Sequence, residues 1–156
     1  MAHRPYVAVI GPSDATPEQA RAAEAIGRFL ADGGAILVCG GLGGVMSAAC
    51  HGACAAAGTT VGLLPGTDRA SANEWVQVAL PTGLGELRNG LIIRAADAVI
   101  AVGGGYGTMS EIALALRTGV PVIGLDTWEI DGIEPVRSAA AAVARALERA
   151  AGRTRS

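Results

Sequence analysis

Short β-branched runs alternate with helix-sized segments along almost the whole chain, and this limits the fold more than any other feature. YVAVIG (6–11), AILVC (35–39), TTVGLL (59–64), VQVAL (76–80), DAVIAV (97–102) and PVIGLD (121–126) read as strands. Thr16-Pro17-Glu18-Gln19 opens a helix that runs to Gly33-Gly34, with threonine as cap, proline in the first turn and glutamine completing a capping box. VMSAACHGACAAAG (45–58), ELRNGLIIRAA (86–96), TMSEIALALRTG (108–119) and an alanine-rich stretch over 135–151 read as further helices. Strands joined through helices require right-handed crossovers, so the expected fold is α/β: a doubly wound parallel sheet with helices on both faces. A single domain is expected over 1–156, with 153–156 as a frayed tail.

Composition narrows the function classes. Hydrophobic residues make up 51% of the chain and aromatics only 3%, with 23 glycines, which fits a tightly turned, layered core of small residues. The net charge is −2 and there is no basic run, so nucleic acid and anionic membrane surfaces are poor partners. No stretch reaches the roughly 18 apolar residues of a membrane helix. MAHRPYVAVIG turns strand-like too soon for a signal peptide, and a cytoplasmic location is expected. Three cysteines are not a disulfide framework and suggest a reducing compartment. Cys50 and Cys54 lie one helical turn apart, with His51 beside Cys50, but a zinc site needs more ligands at recognisable spacing. No metal and no cofactor are expected. All twelve basic residues are arginine. Without lysine there is neither a Walker A loop nor a pyridoxal phosphate Schiff base.

Two glycine-rich turns follow strands and open helices, CGGLGGVM (39–46) and VGGGYGTMSE (102–111). Glycine lets the backbone bend sharply and present N–H groups, and a helix start adds partial positive charge. Such turns serve either as phosphate cradles or as plain chain reversals. Gly105-Tyr106-Gly107-Thr108-Met109-Ser110, with Asp126 about 20 residues on, imitates a dinucleotide fingerprint. Serine replaces its third glycine, so NAD binding is not favoured. Thr108-Met109-Ser110-Glu111 also reads as a capping box, in which Glu111 would bond back to the backbone at Thr108. Arg88 and Asn89, set in an otherwise apolar helix upstream, are the competing sign of chemistry at Glu111.

GGGYGTMSE resembles the PGGxGTxxE signature of LOG-type proteins, phosphoribohydrolases that free a base from nucleoside 5′-monophosphates. GGLGGVM resembles that family's second glycine-rich motif. The longer run TGLGELRNGLIIRAADAVIAVGGGYGTMSEIALALRTGVPVIGL is similar to a short branch related to the molybdenum-cofactor carrier protein. The resemblance covers roughly residues 6 to 126 and implies a Rossmann-like fold and a homodimer. It implies a catalytic pair in Glu111 and Arg88, and a phosphate site in Gly104, Gly105, Gly107 and Thr108. Gly41, Gly43, Gly44, Met46 and Asn89 are implied as further ligand contacts. Gly103 stands where the signature has proline, and Asn89 where those enzymes have lysine. Both departures lean toward the carrier-like branch. Two functions are therefore implied for one phosphate-ligand site. One is hydrolysis of a nucleoside 5′-monophosphate, with Glu111 stabilising an oxocarbenium-like sugar or activating water. The other is a non-catalytic carrier or sensor of molybdenum cofactor or a nucleotide. The expected dimer face is the 45–58 helix or the 84–96 segment, each apolar on more than one side.

Overall fold

A computed structural model describes residues 3–153. The strands are β1 (Tyr6–Ile10), β2 (Ile36–Cys39), β3 (Thr59–Leu64), β4 (Val78–Pro81), β5 (Ala98–Val102), β6 (Val122–Leu125) and β7 (Glu134–Val136). The helices are α1 (Pro17–Asp32), α2 (Val45–Ala55), α3 (Arg88–Ala95), α4 (Tyr106–Arg117) and α5 (Ala139–Ala151). One seven-stranded sheet results, in the order β4-β3-β2-β1-β5-β6-β7. Every neighbouring pair is parallel.

Alternating side chains of the strands feed two cores. Val7 and Val9 of β1 pack with Leu37, Ile100 and the inner faces of α1, α2 and α5. Ala8 and Ile10 pack with Val38, Val99 and Ala101 against Ile92 and Ile93 of α3 and Ile112 of α4. All five residues of β5 are buried, as a central parallel strand covered on both faces requires. The chain winds outward from β1 to β4, then returns to place β5 on the other side of β1. The carboxyl ends of β1 and β5 therefore flank the point where the winding reverses, and a crevice opens there.

The capping box of α1 forms as the sequence indicates. The Thr16 hydroxyl accepts from the Gln19 amide at 3.1 Å, and the Gln19 side chain accepts from the Thr16 amide at 3.0 Å. Four features differ from expectation. Residues 134–136 form an edge strand where a helix over 135–151 is expected; proline is tolerated at such an edge, and Ser138 caps α5 only afterwards. Helix α3 starts at Arg88, after a single 3-10 turn over Gly85–Leu87. Arg153 is not frayed, since its guanidinium donates to the Ala96 carbonyl at 2.7 Å; 154–156 lie outside the described residues. The small residues of α2 are spent inside the molecule. A Cβ at Gly27 would fall 1.9 Å from the Ala49 carbonyl oxygen, and one at Gly52 would fall 1.9 Å from that of Glu24. Helices α1 and α2 thus pack backbone against backbone, which leaves α2 little face for a partner.

Candidate functional site

The crevice has a volume of about 350 Å³. Its walls come from the turn after β1, from β2's exit, from the start of α3 and from the first two turns of α4. Of the residues singled out in the sequence, it brings together Met46, Arg88, Asn89, Gly105, Gly107, Thr108 and Glu111. Gly41, Gly43, Gly44 and Gly104 do not line it.

The start of α4 decides between the two readings of Glu111. The helix begins at Tyr106 with Gly105 as its cap, and no side chain bonds to that cap. Thr108 therefore lies inside the first turn and caps nothing, and the expected capping box with Glu111 does not form. Gly105 adopts the extended cap geometry instead, at φ −144° and ψ −178°. The first-turn N–H groups have no partner within the helix and are free to meet a ligand. The Thr108 side chain is buried beside them, facing the crevice.

Glu111 is only 8% exposed and, among the described residues, makes no hydrogen bond or ion pair. Burial pushes its carboxyl up to about 7, against a smaller opposing pull from the Arg88 charge. Arg88, 9% exposed, is held by the backbone. Its Nε donates to the Leu63 carbonyl at 2.8 Å, its Nη2 donates to the Gly40 carbonyl at 3.3 Å, and its Nη1 donates to Asn89 Oδ1. The guanidinium thus bridges the carboxyl ends of β2 and β3. Burial lowers its proton affinity, and the Glu111 and Cys39 charges oppose that shift.

The first glycine turn is shaped by packing. Gly44 stands at φ +64°, and a Cβ there would come 2.3 Å from the Pro12 carbonyl oxygen. That carbonyl accepts the Val45 amide at 3.1 Å, so the start of α2 is closed by the turn after β1. Cys39 Sγ accepts from the Gly41 amide at 3.3 Å and lies 3.5 Å from Cys50 Sγ. The contact with Cys50 holds the Cys39 thiol below its ordinary range and pushes that of Cys50 up. Cys54 donates to the Trp75 carbonyl at 3.1 Å, and among the described residues no cluster of histidine, cysteine and carboxylate could hold a metal. At the second turn, Gly104 is covered by Trp128, whose Nε1 donates to the Gly105 carbonyl at 3.2 Å. Gly103 stands at φ +66°, which proline cannot adopt, so this turn departs from the proline-containing signature in its backbone.

Residues 4–151 match the model of the SLOG cluster4 family. The chain belongs to that family. A protein of Archaeoglobus fulgidus is 41% identical to this SLOG cluster4 chain over 119 residues, covering 76% of the chain and 78% of the relative. Two solved structures extend over nearly the whole fold. One is the molybdenum cofactor binding protein of Rippkaea orientalis, at 33% identity and TM-score 0.88, covering 95% of this chain and 98% of the other. The other is the molybdenum cofactor carrier protein of Chlamydomonas reinhardtii, at 33% identity and TM-score 0.87, covering 96% and 99%.

The SLOG cluster4 chain also places residues in the crevice that sequence reasoning passed over. Gly11, Pro12, Ser13 and Asp14 form one wall, and Gly40 and Leu42 form the floor beside Met46. The turn after β1 reads Gly11-Pro12-Ser13-Asp14 and carries no glycine-rich motif. Its signal is topological: it sits at the reversal point of the sheet, where a crevice must open.

Proposed function

We propose that this SLOG cluster4 protein binds and carries a small phosphorylated ligand, with molybdenum cofactor as the leading candidate, and does not transform it. The observation that carries this reading is 33% identity, over almost the full length of both chains, to two proteins named for molybdenum cofactor binding or carriage. The site is consistent with that role. The backbone from Gly104 to Thr108, with the Thr108 hydroxyl, supplies uncapped donors for a phosphate at the start of α4. Arg88 spends three donors on its own fold and acts chiefly as a brace behind the crevice. Glu111, proton-bearing over much of the range below pH 7, would give such a ligand a hydrogen-bond donor. Asn89 and Met46 line the same crevice.

The placement of Glu111 in the same crevice as the uncapped turn favours a second reading, hydrolysis of a nucleoside 5′-monophosphate. An ionised Glu111 would stabilise the positive sugar or activate water, and Arg88, always charged at neutral pH, would orient it rather than donate a proton. One experiment separates the two. Purified protein is incubated with molybdenum cofactor and, separately, with a panel of nucleoside monophosphates. Co-elution of molybdenum with the protein, and no free base or ribose 5-phosphate by chromatography, is the expected result. Release of base at a rate that scales with enzyme would replace the carrier reading with the hydrolase.

We also propose that the protein works as a homodimer in the cytoplasm, joined through the 84–96 segment. Leu84, Leu87 and Leu91 are 47%, 77% and 41% exposed there, an apolar ridge with no cover of its own. Light scattering at micromolar concentration, comparing the parent with Leu87→Glu, tests this.

A further inference from the structure

A second cavity lies beside the glycine turn after β5. At about 610 Å³ it is larger than the crevice, and it is formed by the segment from Gly124 to Arg137, around the carboxyl ends of β6 and β7. Trp128 lies in its wall and also lies against the turn. Its Nε1 donates to the carbonyl of Gly105, which lines the crevice, and a Cβ at Gly104 would sit 2.7 Å from that nitrogen. Trp128 thus belongs to the wall of the second cavity and at the same time touches the turn that borders the crevice.

The lining of the second cavity has a chemistry of its own. Asp126, Glu129 and Asp131 supply three carboxylates against one cation, Arg137. The Thr127 hydroxyl, shut off from solvent, has no hydrogen-bond partner among the described residues. Three carboxylates repel a phosphate, and a purely apolar guest would leave every acceptor unmatched. A flat ring edged with amino and N–H donors satisfies both demands. Its face packs on the indole, and paired donors meet a carboxylate side by side.

We propose that this cavity is a second ligand subsite, which takes the amino-bearing planar heterocycle of a ligand whose phosphate lies at the Gly104–Thr108 turn. Trp128 is the wall the two subsites share. The 2-amino-4-oxo edge of a pterin or a guanine carries the required pair of donors. The link to the phosphate rests on the ligand reading proposed above; the heterocycle subsite rests on the cavity alone.

Calorimetry with two separate probes tests it, neopterin (a pterin without phosphate) and inorganic phosphate. The variants are Asp126→Asn/Glu129→Gln/Asp131→Asn, which neutralises three exposed side chains, and Trp128→Leu. Circular dichroism confirms that each stays folded. Neopterin should bind the parent and lose about tenfold or more in affinity in either variant. Phosphate affinity should hold within about twofold in the triple variant, because none of the three carboxylates lines the crevice. Neopterin that fails to bind the parent, or binds parent and variants equally, overturns the proposal. Parent protein that binds neopterin with this variant pattern but takes no phosphate supports the subsite and removes the phosphate reading instead.

Discussion

Arg88 and Glu111 line one crevice without forming an ion pair. The guanidinium is turned onto the carbonyls of Leu63 and Gly40, while the carboxyl stays buried and unbonded. A buried acid held this way destabilises the fold whenever it is charged, so its retention points to a use beyond stability.

The first prediction concerns pH. Glu111 has its carboxyl raised from 4.5 to about 7 in the folded protein. Between those values the folded state holds the proton that the unfolded state has lost. Its stability contribution is therefore greatest below pH 4.5 and is lost as pH rises to about 7. Glu111→Gln should remove this dependence and stabilise the protein above pH 7 by on the order of 1–3 kcal/mol. Urea unfolding at pH 5 and pH 8 checks it: the variant's advantage must be larger at pH 8.

At Arg88 the expected loss is structural first. Arg88→Ala leaves the Leu63 and Gly40 carbonyls without their donor and should destabilise the protein by about 2–4 kcal/mol. Arg88→Lys keeps the charge but cannot span both carbonyls with a planar fork, and should recover less than half of that loss. Denaturant midpoints for the two variants decide between a brace and a point charge.

Thr108→Val separates ligand binding from stability. The hydroxyl faces the crevice and has no hydrogen-bond partner among the described residues, so its loss should leave the melting temperature unchanged or slightly raised. Phosphate affinity should fall about tenfold, the worth of one hydrogen bond to a charged group. Calorimetric titration with inorganic phosphate reads both the loss and the parent value.

Gly103→Pro would restore the residue found in the LOG signature. Here the backbone stands at φ +66° and a Cβ would lie 2.5 Å from Gln19 Nε2, within the α1 capping box. The substitution should cost about 3 kcal/mol or more, against about 1–2 kcal/mol for Gly103→Ala. A proline variant as stable as the parent would mean that the turn can take the signature's conformation after all.

Much of the architecture was legible because it is local. The Thr16–Gln19 box needs only residues within one helical turn, and the β5 run is apolar at every position because both of its faces are covered. β7 was hidden because three residues centred on Pro135 carry no period, and the edge of β6 alone makes them a strand. The threonine and glutamate of T-x-x-E satisfied a local capping rule that the backbone at Gly105 overrode. The crevice wall from Gly11 to Asp14, and the meeting of Trp128 with Gly105, depend on strand order. No spacing in the sequence encodes them.

The glycine contacts at Gly27 and Gly52 give the molecule an uneven mechanics. Two helices locked carbonyl to Cα cannot slide or part without breaking both contacts at once, so α1 and α2 form a stiff plate on one face of the sheet. The opposite face carries α3 and α4, and the segment bearing Trp128 meets the turn before α4 through an indole hydrogen bond to the Gly105 carbonyl. The crevice thus has one stiff wall, where Leu42 and Met46 stand at the start of α2, and any yielding to a guest falls to the α3 and α4 side.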